Sequence, residues 1–112
     1  MVNQNSKQFI GEWHITQMEK WNDEAINLVS QANIIFDDDD MGSFLFIAVR
    51  GFMDCRCSQR EGKPFVEFSW QGRDERDEVN GRGWATINED GVMNGHIYIH
   101  CGEDSSFCAN RP

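Results

Sequence analysis

The chain has 112 residues, 10 Lys and Arg against 19 Asp and Glu, a formal net charge of −9 at pH 7, and 39% hydrophobic residues. That length sets a single domain over residues 1–112, able to bury about 65% of the surface its unfolded form exposes. Eight Phe and four Trp are too many large apolar groups for a disordered acidic chain. The acid excess argues against nucleic acid and anionic membranes as partners, because phosphate recognition needs clustered Lys and Arg.

Residues 1–8 are polar and contain no apolar signal-peptide core. No run approaches the ~18 apolar residues of a membrane span, so the expected location is cytoplasmic. Short β-rich runs punctuated by Gly, Asp and Asn follow, the pattern of an antiparallel barrel or sandwich. The predicted strands are residues 10–19, 32–36, 43–49, 52–59, 65–71, 83–88, 93–101 and 105–111. Residues 22–29 hold the best helical candidate, short enough to be a loop or a single turn. The links at Glu61-Gly62, Glu89-Asp90-Gly91 and Gly102-Glu103-Asp104 suit tight hairpins, with Gly supplying positive φ in the first two. Arg50-Gly51 is read as a further two-residue turn, with a kink inside one long strand as the other reading.

Eight such strands predict an all-β, single-domain, antiparallel up-and-down barrel, whose interior is either filled by side chains or holds one small ligand. If Arg50-Gly51 turns, alternation of hairpins gathers the long links 20–31 and 72–82 at one end, where a mouth would form. The acidic runs 37–40 and 74–78 then sit at opposite ends as solvated, solubilising caps. Neither run has the alternating ligands and central Gly of a calcium loop.

Phe9-Ile10-Gly11-Glu12-Trp13 resembles the opening motif of the lipocalins and the wider calycin superfamily, Gly-x-Trp at the start of the first strand. The resemblance implies that Trp13 packs in the closed base of the barrel and that Arg111, at the end of the last strand, stacks over it. Meander topology independently brings those strand ends together, and a desolvated guanidinium–indole contact contributes roughly 0.5–2 kcal/mol. The stretches 49–56, 67–75, 81–85 and 95–100, with Asp104-Ser105, resemble a family of small uncharacterised bacterial proteins. That likeness implies a fold and brings no established activity.

Strand alternation assigns faces. It places Trp13, Ile15 and Gln17 together, with His14, Thr16 and Met18 opposite. Large apolar groups on both faces of the third and fifth strands call for a cover, either the long links or a second copy of the chain in a homodimer. His96, Tyr98 and His100 share one face, as a solvent-facing row or as a polar constellation. The hairpin at Glu61-Gly62 brings Arg56 near Glu67, beside Asp54 and Arg82, either as an exposed ion pair or as a polar cluster inside the barrel. Cys55, Cys57, Cys101 and Cys108 lack zinc-site spacing and read as reduced structural thiols.

No phosphate loop, zincin motif or nucleophile elbow is present, so neither a catalytic residue nor a cofactor is expected. The leading functional expectation is a small, partly apolar ligand inside the barrel, contacted by Arg56, Glu67, Trp70, Arg82, Trp84, Tyr98 and His100. The alternative is an acidic protein-interaction module, an immunity-type or regulatory partner that holds no ligand.

Overall fold

The structure is a computed structural model and describes residues 4–112; residues 1–3, the first part of the polar N-terminal stretch, lie outside the described residues. Nine elements follow in order: β1 (Gly11–Met18), α1 (Asp23–Ile26), β2 (Asn33–Phe36), β3 (Met41–Phe46), β4 (Val49–Arg60), β5 (Lys63–Asp74), β6 (Asp77–Ile87), β7 (Met93–Ile99) and β8 (Asp104–Asn110). Each strand pairs antiparallel with the next, and β8 closes onto β1, giving an eight-stranded up-and-down barrel. No helix among the described residues is long and apolar enough to cross a membrane.

The inward-facing residues explain the closure. Val66, Phe68 and Trp70 on β5, Phe44 and Phe46 on β3, and Met93 and Ile97 on β7 are all at most 4% exposed and belong to one core cluster. Rings of this size fit inside eight strands because glycine stands across from them. Phe44 pairs with Gly51, Phe68 with Gly83 and Phe107 with Gly95. A Cβ added at Gly51 would lie 2.3 Å from the Phe44 ring, and one at Gly83 would lie 2.5 Å from Phe68. Such ring-over-glycine pairs also fix strand register.

At the base, Arg111 lies with its guanidinium 4.0 Å from the centroid of the Trp13 ring. It donates hydrogen bonds to the carbonyls of Ile10 and Gln8, both at 2.9 Å, while Trp13 Nε1 donates to the Phe9 carbonyl at 2.9 Å. One aromatic and one cation therefore tie the N-terminal segment to both β1 and the end of the chain.

Several sequence expectations change. The turn between β3 and β4 uses Ile47 and Ala48, with Ile47 at φ 55°, so Arg50-Gly51 lies inside β4. Register decides this: a turn at Ile47-Ala48 puts Gly51 under the Phe44 ring. Hairpin alternation survives the change because β3 and β4 remain separate strands. The expected long link 72–82 is absent. β5 and β6 run through it to a tight turn at Glu75-Arg76, with Glu75 at φ 56°. Only the α1-bearing link between β1 and β2 is long, and Asn22 caps α1 by accepting from the Ala25 amide at 2.9 Å. A bulge between Ile15 and Gln17 turns Gln17 outward and Met18 inward, reversing their assigned faces. The final strand boundary of β7 is Ile99, and Cys101 sits exposed in the next turn at φ 59°.

Two stability measurements follow. In urea unfolding, Gly51→Ala should cost about 1–3 kcal/mol by overpacking, and combining it with Phe44→Leu should recover part of that loss. Arg111→Ala should cost about 1–3 kcal/mol through the lost cation–π contact and charged hydrogen bonds. Arg111→Lys should restore little, because an ammonium cannot reach both carbonyls in a planar fork.

Candidate functional site

The residues expected to meet inside the barrel separate across its wall. Trp70 points inward, 4% exposed, edge-on to Phe44 with centroids 4.9 Å apart, and its Nε1 donates to the Tyr98 carbonyl at 3.2 Å. Arg56, Glu67 and Arg82 are exposed on the outer wall, and Trp84 and Tyr98 are half-buried there. His100 is exposed beyond the end of β7. The polar cluster is thus outside the barrel, because the alternation that buries Val66, Phe68 and Trp70 sends Glu67 and Ser69 the other way.

Strand pairing arranges the outer wall in rows. Arg50, Arg73 and Glu78 face one another across β4, β5 and β6; the next row is Phe52, Gln71 and Asn80. Beyond it come Asp54, Ser69, Arg82 and Tyr98, then Arg56, Glu67, Trp84 and His96. Arg56 and Glu67 are register partners, yet the Arg56 guanidinium bonds Asp54, two residues away on its own strand. Both are well exposed, so the pair contributes at most about 1 kcal/mol. Trp84 stacks on Phe65 with centroids 6.0 Å apart, and Arg60 caps Phe65 at 4.1 Å. His96 bonds the Asp104 carboxylate and packs on Tyr98, with ring centroids 4.5 Å apart; Arg82 lies 5.6 Å from the Tyr98 centroid. His100 makes no ring contact or ion pair with that group, but it lines a cleft together with Arg82 and Tyr98.

Four shallow clefts lie along this wall and share lining residues. One of about 560 Å³ is bounded by Arg50, Phe52, Gln71, Arg73, Glu78 and Asn80. It continues past Met41 and Phe52 into a second of about 440 Å³, and clefts of about 380 and 290 Å³ flank Arg82. Phe52 is 63% exposed and Met41 45% exposed, so apolar surface stands in solvent where the clefts meet. Alternation alone could have placed Phe52 here, since Gly51 and Met53 face inward. A larger hollow of about 810 Å³ lies at the other flank of the mouth, formed by the contiguous segment 16–24. It is built from one stretch of chain, the end of β1, the start of α1 and the link between them, and no strand of the β4–β6 wall contributes to it.

Among the described residues, no carboxylate reaches ion-pair distance of Arg50, Arg73 or Arg82. No group of three His, Cys, Asp or Glu side chains there could hold a metal ion. All four cysteines are free thiols. Burial pushes the Cys55 thiol up to about 12, reinforced by neighbouring Cys57, Asp54 and Asp40, and burial also raises Cys57. A thiolate is the reactive form, so Cys55 is held inert.

A scan against family models gives no match, and comparisons with curated proteins and with solved structures give none either. The fold and the wall therefore define the class: a small closed antiparallel β-barrel with a mixed polar and apolar groove on its outside.

Two consequences of the Cys55 environment are measurable. Iodoacetamide at pH 8 should modify exposed Cys101 first and Cys55 last, read by peptide mass spectrometry. Because the folded-state pKa of Cys55 is raised, the native state holds its proton longer than the unfolded state does. Stability should therefore fall as pH rises from about 9 toward 12, and Cys55→Ala should flatten that slope.

Proposed function

We propose that this protein is a binding module whose ligand, a small and partly apolar molecule, sits in the outer groove of β4, β5 and β6. The carrying observation is Phe52, a large aromatic 63% exposed in a groove of about 560 Å³ lined from three strands. Covering a phenyl side chain returns roughly 1.5–3 kcal/mol, and the flanking Gln71 and Asn80 amides supply donors and acceptors, the usual mixture in a ligand site. The ring-over-glycine packing of the interior supports an outer site over an inner one. The Trp13–Arg111 contact supports reading the barrel as calycin-like.

A second reading, an interaction module, is favoured by Met41 standing beside Phe52 with 45% of its surface exposed. A partner protein or a second copy of the chain would cover both.

The test is a titration of ¹⁵N-labelled protein with neutral 2-naphthol. Binding should shift the amides of Phe52, Gln71 and Asn80, and Phe52→Ala should abolish those shifts while changing stability by less than about 0.5 kcal/mol. Shifts confined to inward-facing Phe68, Met93 and Ile97 would return the ligand to the interior. An unliganded protein that sediments as a dimer, and becomes monomeric with Phe52→Ala, would favour the interaction module.

A further inference from the structure

We propose that the groove recognises a zwitterion, an apolar α-amino acid, with its carboxylate on Arg50 and Arg73, its ammonium on Glu78 and its side chain on Phe52. This rests on the outer-groove reading above and names the ligand class for it.

The first observation is a like-charge pair. Arg50 and Arg73 are direct register partners across β4 and β5, and both are exposed. Residues so placed have Cβ atoms about 4.5–5.5 Å apart, and like charges there are destabilising. A chain with 19 acidic against 10 basic residues has carboxylates to spare, yet among the described residues none reaches either guanidinium within ion-pair distance. Arg73 is steadied by donating to the Arg76 carbonyl at 3.3 Å. Two adjacent guanidiniums without an anion form a receptor for one carboxylate, which can accept from both.

The second observation fixes the remaining charge. Glu78 is the register partner of Arg73 on the far side and lines the same groove. The row therefore reads positive, positive, negative over three strands spaced about 4.8 Å apart. A simple anion would leave Glu78 unanswered, and a dianion would oppose it. An α-amino acid answers both signs, since its ammonium and carboxylate are joined through one carbon. Asp74, Glu75 and Asp77 at the hairpin tip do not line this groove.

The third observation supplies the apolar end. Phe52 is two residues along β4 from Arg50, on the same face, a step of about 6.6 Å. That separation matches the reach of a leucine or phenylalanine side chain from its own charged groups. Gln71 and Asn80, beside Phe52 in its row, leave polar groups at the groove floor.

The experiment compares L-phenylalanine, L-phenylalaninamide (no carboxylate) and N-acetyl-L-phenylalanine (no ammonium) by the same amide-shift titration on the intact chain. L-phenylalanine should bind best, and each blocked analogue should bind about tenfold more weakly. Arg50→Gln should weaken L-phenylalanine about tenfold while leaving the amide unchanged. Glu78→Gln should weaken L-phenylalanine while leaving the N-acetyl compound unchanged. Arg56→Gln, outside the groove, should alter none of them. All these positions are exposed, so the variants should keep the native spectrum.

Equal binding of the three compounds at Phe52, Gln71 and Asn80 overturns the zwitterion assignment and leaves the outer-groove reading standing. Tighter binding of the N-acetyl compound overturns it in favour of a plain anion. If none of the three shifts the wall while 2-naphthol does, only the zwitterion assignment falls; if 2-naphthol also fails, both fall.

Discussion

The fit of aromatic rings over glycines in an eight-stranded barrel is the constraint on which the rest of this structure depends. Eight strands leave an interior only as wide as the side chains that fill it, and this chain fills it with Phe44, Phe46, Phe68, Trp70 and Phe107. Each of Phe44, Phe68, Trp70 and Phe107 has glycine as a register partner. Remove the glycine and the ring has nowhere to go; shift the register and the glycine serves the wrong ring. Packing at crystal-like density tolerates neither change, so interior filling and strand pairing are one decision.

That decision also shapes the outside. Gly72 and Gly81 sit where the neighbouring strand comes so close that an added Cβ would lie 1.7 Å from the Arg50 carbonyl oxygen or 1.8 Å from the Tyr98 carbonyl oxygen. Glycine at those two places puts no side chain on the wall, and Gly72 and Gly81 each line one of its clefts. Everything between the inward positions must face out, which is how Arg50, Phe52, Gln71, Arg73 and Asn80 come to share one groove. A filled interior and a recessed exterior have the same cause.

How much of this was legible depends on which physical signal carried it. Alternating hydrophobicity gave eight strands and their order, and the Glu61-Gly62 turn reads directly, with both residues at positive φ, 53° and 78°. Glycine misled wherever its role was spatial. Gly51 looked like a turn residue and is a seat for Phe44, while Gly72 and Gly81 looked like loop punctuation and lie inside β5 and β6, where a neighbouring backbone carbonyl leaves no room for a Cβ. The true turn carries Ile47 at φ 55°, a conformation β-branched residues avoid, so tertiary packing overrode local preference. The polar residues were visible as a group, but their side of the wall was not. Charged residues on a strand say only that they share a face, and the rings opposite settle which face is buried.

The net charge shows the same limit of chain-level arithmetic. Residues 49–87 hold seven Lys and Arg and seven Asp and Glu, so the whole −9 belongs to the remainder, where twelve acids meet three bases. The runs at 37–40 and 89–90 lie at the base, across a molecule 36 Å in its longest dimension from the Arg50 row near the mouth. At physiological salt the Debye length is about 8 Å, so those distant acids contribute little at the groove. Neighbouring charges on adjacent strands are closer than that length and keep roughly half of their interaction with each other and with a ligand. A ligand docked on β4, β5 and β6 therefore meets a balanced, ordered set of charges, and the order of their signs across the strands governs recognition more than their sum over the chain.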